Sequence, residues 1–335
     1  MTMQIEEIPP IPDGLRDAAQ RGTLIPFVGA GASRLAKCPS WNELADGVLQ
    51  QLIEAGKFSH GQLDQIRNQP PRVKLSIARH LAEEHDFRID YQTVLHPGSG
   101  LNDPVGQRLY TSLSKLGRTF VTTNYDRWLD AKVIVPGATM RGASGQSDTS
   151  VSDQQRRVLY KIEDFTYANL NMPDTVIHLH GSLDEPDGMI LTTQDYVRHY
   201  ANDRFATSAE EENLVLTFLD NLFNKEKTVL FLGYGLEELE ILEYVILKAR
   251  HTSGPAQCEA RHYILQGFFS HEYELMRGLT RYYLSECGIQ LLPFLRDQND
   301  RMQLLNVLEH YAEHMPASEL MYLQEFREME GLLDG

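Results

Sequence analysis

Residues 24–33 read LIPFVGAGAS. An apolar run rich in β-branched and aromatic residues, stopped by glycine, is the pattern of a buried strand. Glycines directly after it, ahead of a helical pattern, make a strand-to-helix turn. The backbone of such a turn can approach a phosphate, beside the unpaired N–H groups that open the helix. Pro26 is a local conflict, because proline has no ladder donor; it is expected at the strand's start or where no ladder bond is needed. Working outward, similar runs recur at 119–122 (TFVT), 158–162 (VLYKI), 176–179 (VIHL), 228–232 (TVLFL), 263–265 (YIL) and 289–292 (IQLL). Helical patterns separate them. Strands that alternate with helices need crossover connections, hence a parallel sheet covered on both sides. The expected class is α/β, a Rossmann-like parallel sheet with helices on both faces.

The longest gap between strands decides the rest of the organisation. Ser40-Trp41-Asn42-Glu43 has capping-box spacing, and an amphipathic stretch follows it to a stop at Gly56. Helical patterns fill residues 42–115, which reads as a helical insertion between the first two strands. Residues 137–157 are small and polar and read as a loop. Further helices are expected at 213–223, 237–250, 300–313 and 317–332, the last two closing the chain as C-terminal helices over about 300–332. Residues 1–335 are read as one domain carrying that insertion. In the closing segment Leu320, Leu323, Phe326 and Met329 recur at near-helical spacing, a stripe that either packs on its own domain or joins copies into a homo-oligomer.

Composition excludes several classes. With 31 Lys and Arg against 47 Asp and Glu, the formal charge is −16, which repels phosphate backbones and argues against direct nucleic-acid binding. A local basic pocket stays open. The three cysteines, Cys38, Cys258 and Cys287, are too few for a four-cysteine zinc site and too scattered for a disulfide framework, which fits a reducing cytoplasm. The start, MTMQIEEIPPIPDG, is acidic and proline-rich, unlike a signal peptide. No run approaches the ~18 apolar residues of a membrane span.

Four motifs fall at strand ends. The first is Gly29-Ala30-Gly31-Ala32-Ser33. It is shorter than the G-x-G-x-x-G fingerprint, since Arg34 stands where the third glycine belongs, and alone it reads equally well as a plain turn. The second is Thr122-Thr123-Asn124-Tyr125-Asp126. Polar residues there point into the crevice where parallel sheets bind ligands, although Asp126 alone reads better as the cap of a helix over 127–132. The third is His178-Leu179-His180-Gly181-Ser182. Alternation puts both histidines on one face; His178, deeper in the strand, is read as structural, and His180 as the candidate general base. No third ligand for a metal is evident. The fourth is Gly233-Tyr234-Gly235-Leu236, another glycine turn.

Taken in order over about residues 24–266, GAGAS, TTNYD, HLHG and GYG resemble the sirtuin signature. The segment FVGAGAS…PSWNEL is closer to the sirtuin-like domains of bacterial anti-phage defence systems, which hydrolyse NAD, than to protein deacylases. Deacylases continue into a Gly-Ile-Pro-Asp-Phe-Arg loop and carry a four-cysteine zinc module after the histidine. Here RLAKCPSWNEL and SLDEPDGMILTTQDY stand instead, so the expected fold has no zinc module and no metal. The glutamine of the sirtuin T-Q-N motif is replaced by Thr123. The resemblance implies that Gly29, Ala30, Gly31 and Ser33 hold the NAD phosphates. It implies that Asn124, beside Thr123, contacts the nicotinamide ribose or positions water, that Asp126 faces the carboxamide, and that His180 is the general base. It further implies that Gly233 and Tyr234 line the adenosine side and that Gln266 sits near the adenine ribose. The implied activity is NAD glycohydrolysis, with NAD as substrate, in anti-phage defence. A deacylase, an ADP-ribosyltransferase and a non-catalytic NAD or ADP-ribose sensor are the alternatives. A separate defence chain such as a HerA-like ATPase is the implied partner. A Rossmann dehydrogenase is disfavoured by the missing third glycine.

Overall fold

The computed structural model describes residues 5–96, 100–131, 156–200, 213–224, 226–234 and 261–315. Helix α1 (Asp13–Gln20) precedes β1 (Leu24–Val28), and the glycine turn leads into the short α2 (Ala30–Leu35). The expected insertion follows as α3 (Trp41–Glu54), α4 (His60–Ile66), α5 (Pro71–Glu84) and α6 (Tyr91–Leu95). Helix α7 (Pro104–Leu116) then returns the chain to β2 (Thr119–Thr122). Next come β3 (Arg157–Leu159), α8 (Tyr167–Leu170), β4 (Thr175–His178) and α9 (Thr193–Tyr200). The described elements end with α10 (Leu214–Asn224), β5 (Thr228–Leu232), β6 (His262–Phe268), α11 (Tyr273–Tyr282), β7 (Ile289–Leu295) and α12 (Gln303–His314).

The strands form a seven-stranded sheet in the order β3-β4-β2-β1-β5-β6-β7, with every neighbouring pair parallel. This is the expected Rossmann-like α/β class. Both faces are covered, which is why the strands read as unbroken apolar runs. In β1, Leu24 and Val28 pack with α1, α7 and α12 on one face, while Ile25 and Phe27 pack with α10 on the other. A third cluster ties α3 and α5 to Tyr125, Leu183, Met189 and Leu191, so the insertion is fastened over the sheet's carboxyl edge. Pro26 sits mid-strand in the centre of the sheet. Its missing donor is tolerated because the β1–β2 register begins one residue later, at Phe27 and Val121. Its ring lies over Gly117, where an added Cβ would come within 2.7 Å of the proline Cδ.

Local expectations need adjustment. The third strand is Arg157–Leu159 rather than 158–162, because the chain turns into a 3₁₀ segment at Ile162–Asp164. Strands β6 and β7 run on to Phe268 and Leu295, since their pairing continues that far. No helix forms over the described part of 127–132. The Leu129 and Ala131 carbonyls instead accept from the buried Arg156 guanidinium at 2.6 and 3.0 Å. Helix α11 has no counterpart among the expected elements. The expected helices 237–250 and 317–332, and the loop 137–157 up to residue 155, lie outside the described residues. Among the described residues no helix is long and apolar enough to cross a membrane.

Candidate active site

A parallel sheet collects its strand ends at one edge, and here that edge meets the helical insertion. Between them lies a cavity of about 1110 Å³. Its wall contains Ala30, Gly31 and Ser33 from the end of β1, Thr123, Asn124 and Asp126 from the end of β2, and His180 from the end of β4. Gly233 and Tyr234 from β5 and Gln266 from β6 also line it. The four motifs, distant in sequence, thus share one cavity.

Asn124 is held at three points. Its backbone N–H donates to Thr122 Oγ1 at 3.0 Å, and that hydroxyl donates onward to the Val28 carbonyl at 2.7 Å. Its backbone carbonyl faces His178 Nδ1 at 2.8 Å. Its side-chain amide donates to Ser33 Oγ at 2.7 Å. His178 Nε2 lies 2.8 Å from Asp130 Oδ1, so both ring nitrogens face acceptors and only the imidazolium satisfies both. Burial pulls the His178 pKa down, but the Asp130 charge and hydrogen bond, with the Asn124 carbonyl, outweigh it and leave the pKa raised. The reading of His178 as structural agrees with this geometry.

Ser33 is saturated. Its single proton goes to Asp126 Oδ2 at 2.6 Å, so Asn124 and Tyr110, at 2.7 and 2.9 Å, must both donate to it. Burial keeps the Tyr110 phenol un-ionised and able to do so. The hydroxyl expected near the phosphates is therefore turned inward, where it orients Asn124. The other Asp126 oxygen accepts from Trp128 N–H at 3.1 Å, an Asx-turn. Two of the three turn N–H groups also have partners: Gly29 donates to Leu232 and Gly31 to Gly233, each at 2.8 Å. A Cβ on Gly31 would come within 2.6 Å of the Gly233 oxygen. The glycines thus let β1 and β5 meet backbone to backbone. Thr123 pairs its hydroxyl with Tyr234 at 2.9 Å, while the Tyr234 ring packs edge-on against Phe27 at 5.3 Å.

His180 is buried among aromatic rings. Nε2 pairs with the Tyr200 hydroxyl at 2.7 Å, and Tyr196 Oη lies 3.5 Å from Nδ1, at the limit of a hydrogen bond. Burial, then repulsion from His199, lowers its pKa to about 3, so the ring is a neutral acceptor at physiological pH. Burial also holds the Tyr200 phenol un-ionised. Trp41 stands 6.0 Å from Tyr125 and 6.3 Å from Tyr196, centroid to centroid, and the Arg72 guanidinium lies 5.0 Å over Tyr196. Tyr125 lies within the TTNYD motif and Trp41 within PSWNEL, but neither they nor Tyr196 and Tyr200 stood out there as site residues. The i, i+4 spacing of Tyr196 and Tyr200 was visible as one helix face, but nothing local linked that face to His180. Among the described residues no group of three or more His, Cys, Asp or Glu side chains is placed to hold a metal ion.

Comparison with known proteins gives the family. The SIR2-like domain family matches residues 118–292, from just before β2 into β7. The chain is similar to Defense-associated sirtuin 2 of Bacillus subtilis, 22% identical over 227 residues. That alignment covers 68% of this chain and 19% of the relative, so the chain spans about a fifth of the relative's length.

Proposed function

The chain belongs to the SIR2-like family, and from that premise we propose that it cleaves the nicotinamide–ribose bond of NAD to nicotinamide and ADP-ribose. The observation that carries the reading is the meeting of Asn124 and His180, from the neighbouring strands β2 and β4, in a cavity of about 1110 Å³. The scissile bond joins C1′ to a cationic ring that leaves neutral with the bonding electrons, so no acid is needed. Bond breaking develops oxocarbenium character on the ribose. The faces of Tyr125, Tyr196 and Trp41 suit both the cationic ring and the ribosyl cation that follows. Asn124, fixed from three sides, holds a ribose hydroxyl or the attacking water through the polar groups not spent on Ser33. Water attacks C1′, and its proton passes to the neutral His180 acceptor. Because Tyr200 occupies Nε2, the water reaches that nitrogen by replacing the phenol or by relaying through it.

The Bacillus relative's name supports a role in defence; in that proposed role the chain acts by depleting NAD, with a partner chain or further copies of this chain supplying control. The test is nicotinamide release by wild type, His180→Ala and Asn124→Ala at matched folding. Each variant is expected to lose about 100-fold to 10,000-fold in rate. Variants as fast as wild type would remove these residues from the chemistry. NAD binding without turnover under any condition would make the chain a sensor instead.

A further inference from the structure

We propose that the end of the cavity at the β6–β7 edge is a site for a phosphate on the adenosine ribose, so that NADP is a substrate beside NAD. This rests on the NAD reading above. The sheet supplies a ruler, because neighbouring strands lie ~4.8 Å apart. In the order β4-β2-β1-β5-β6, His180 at β4 and the glycine turn at β1 are two strands apart, about 10 Å. The end of β6 is two strands further on. A dinucleotide with its nicotinamide ribose at His180 and its diphosphate at the turn brings its adenosine ribose to β6.

The polar lining there includes Gln266, Arg296 and Arg301, with Arg34 on α2, the helix that follows the glycine turn. Doubly wound sheets bind a free 2′-hydroxyl with a carboxylate and a 2′-phosphate with an arginine. The one carboxylate in the cavity wall is Asp126, at the far end and engaged by Ser33 and Trp128. Two acidic groups stand behind the arginines: Glu43, 3.9 Å from Arg34, and Asp300, paired with Arg296. Three guanidinium groups on the cavity wall thus stand with two carboxylates that do not line it, in a chain of net charge −16. The second pointer is independent of charge. Gln266 Oε1 is buried with no hydrogen-bond partner among the described residues, an acceptor that the sugar hydroxyl or base amine of a bound nucleotide would satisfy.

The experiment is calorimetric titration of the full chain with 5′-AMP and adenosine 2′,5′-bisphosphate, which lack the scissile bond, and with NAD and NADP in the His180→Ala variant, so that binding is read without turnover. The bisphosphate is expected to bind at least about 10-fold tighter than 5′-AMP, and NADP at least as tightly as NAD. Arg301→Ala is expected to shrink the bisphosphate-to-AMP ratio by about 10-fold to 100-fold, the loss of a charge-assisted contact. Arg301→Lys should restore part of it. NAD binding without NADP binding, or an unchanged ratio in Arg301→Ala, would overturn this inference and leave the NAD reading standing. If neither dinucleotide binds, both fall together.

Discussion

Asn124 owes part of its orientation to His178 and Asp130, which do not line the cavity, and this makes a test possible at the scale of one side chain. Asp130 accepts a hydrogen bond from the buried His178 imidazolium, whose other nitrogen holds the Asn124 carbonyl. Asp130→Asn leaves that cation without its counter-charge. Breaking a buried pair by removing one partner costs roughly 3–5 kcal/mol, so the urea midpoint should fall clearly, and nicotinamide release should fall in the protein that remains folded. Full retention of both would mean that the pair does not position Asn124. The pH sign follows from the raised pKa of His178. Its contribution is complete below the unfolded value of about 6.5 and is lost as pH rises through the folded value. His178 and His180 were separable because depth along a strand is a sequence property. The inward turn of Ser33 was not legible, since its partners Asp126 and Tyr110 stand 93 and 77 residues away.

At the scale of elements, the turn after β1 meets the turn after β5 backbone to backbone, Gly31 N–H on the Gly233 carbonyl at 2.8 Å. Gly233 has φ +70°, and a Cβ on it would come within 2.3 Å of the Ala32 nitrogen. Gly233→Ala therefore meets both a left-handed backbone and a backbone atom that cannot step aside. It is expected to cost at least about 1–3 kcal/mol in chemical unfolding; a loss under about 0.5 kcal/mol would show that the turns can part cheaply. Ser40→Ala, which removes the capping box at the start of α3, should cost about 0.5–2 kcal/mol by the same measurement. Both features were readable from sequence, the cap because its residues are three apart and the glycines because they stop a strand. The strands were equally readable, because burial on two faces leaves a continuous apolar run. The arginines 296 and 301 and the tyrosines of α9 were not. They reach the cavity only because the order of the sheet brings β7 and α9 to the same edge as β1.

On the scale of the whole molecule, protonation of buried imidazoles sets the response to acid. His262 accepts the Val229 N–H at Nδ1, 3.1 Å, and donates from Nε2 to the Phe223 carbonyl, 3.0 Å. That arrangement exists only for the neutral ring, and burial, the leading cause, lowers its pKa to about 4. His199 is lowered to about 4, again first by burial, and His180 to about 3. The sign is the same for all three. Unfolded histidines take up protons from about pH 6.5 downward, before the folded ones do, so stability is full above that pH and falls as pH drops toward 4. His178 runs the other way and supports the fold on the acid side, but it is one group against four, since burial lowers His96 as well. Melting temperature is therefore expected to fall between pH 6.5 and 4.5, before most carboxylates titrate. His262 lies at the foot of β6, the opposite end of that strand from the cavity-lining Gln266. His262→Gln keeps an acceptor and a donor without a proton to gain, and it should flatten the acid limb while leaving NAD binding unchanged. A melting temperature that stays level down to pH 4.5, or a His262→Gln variant with the wild-type slope, would show that these rings protonate within the fold.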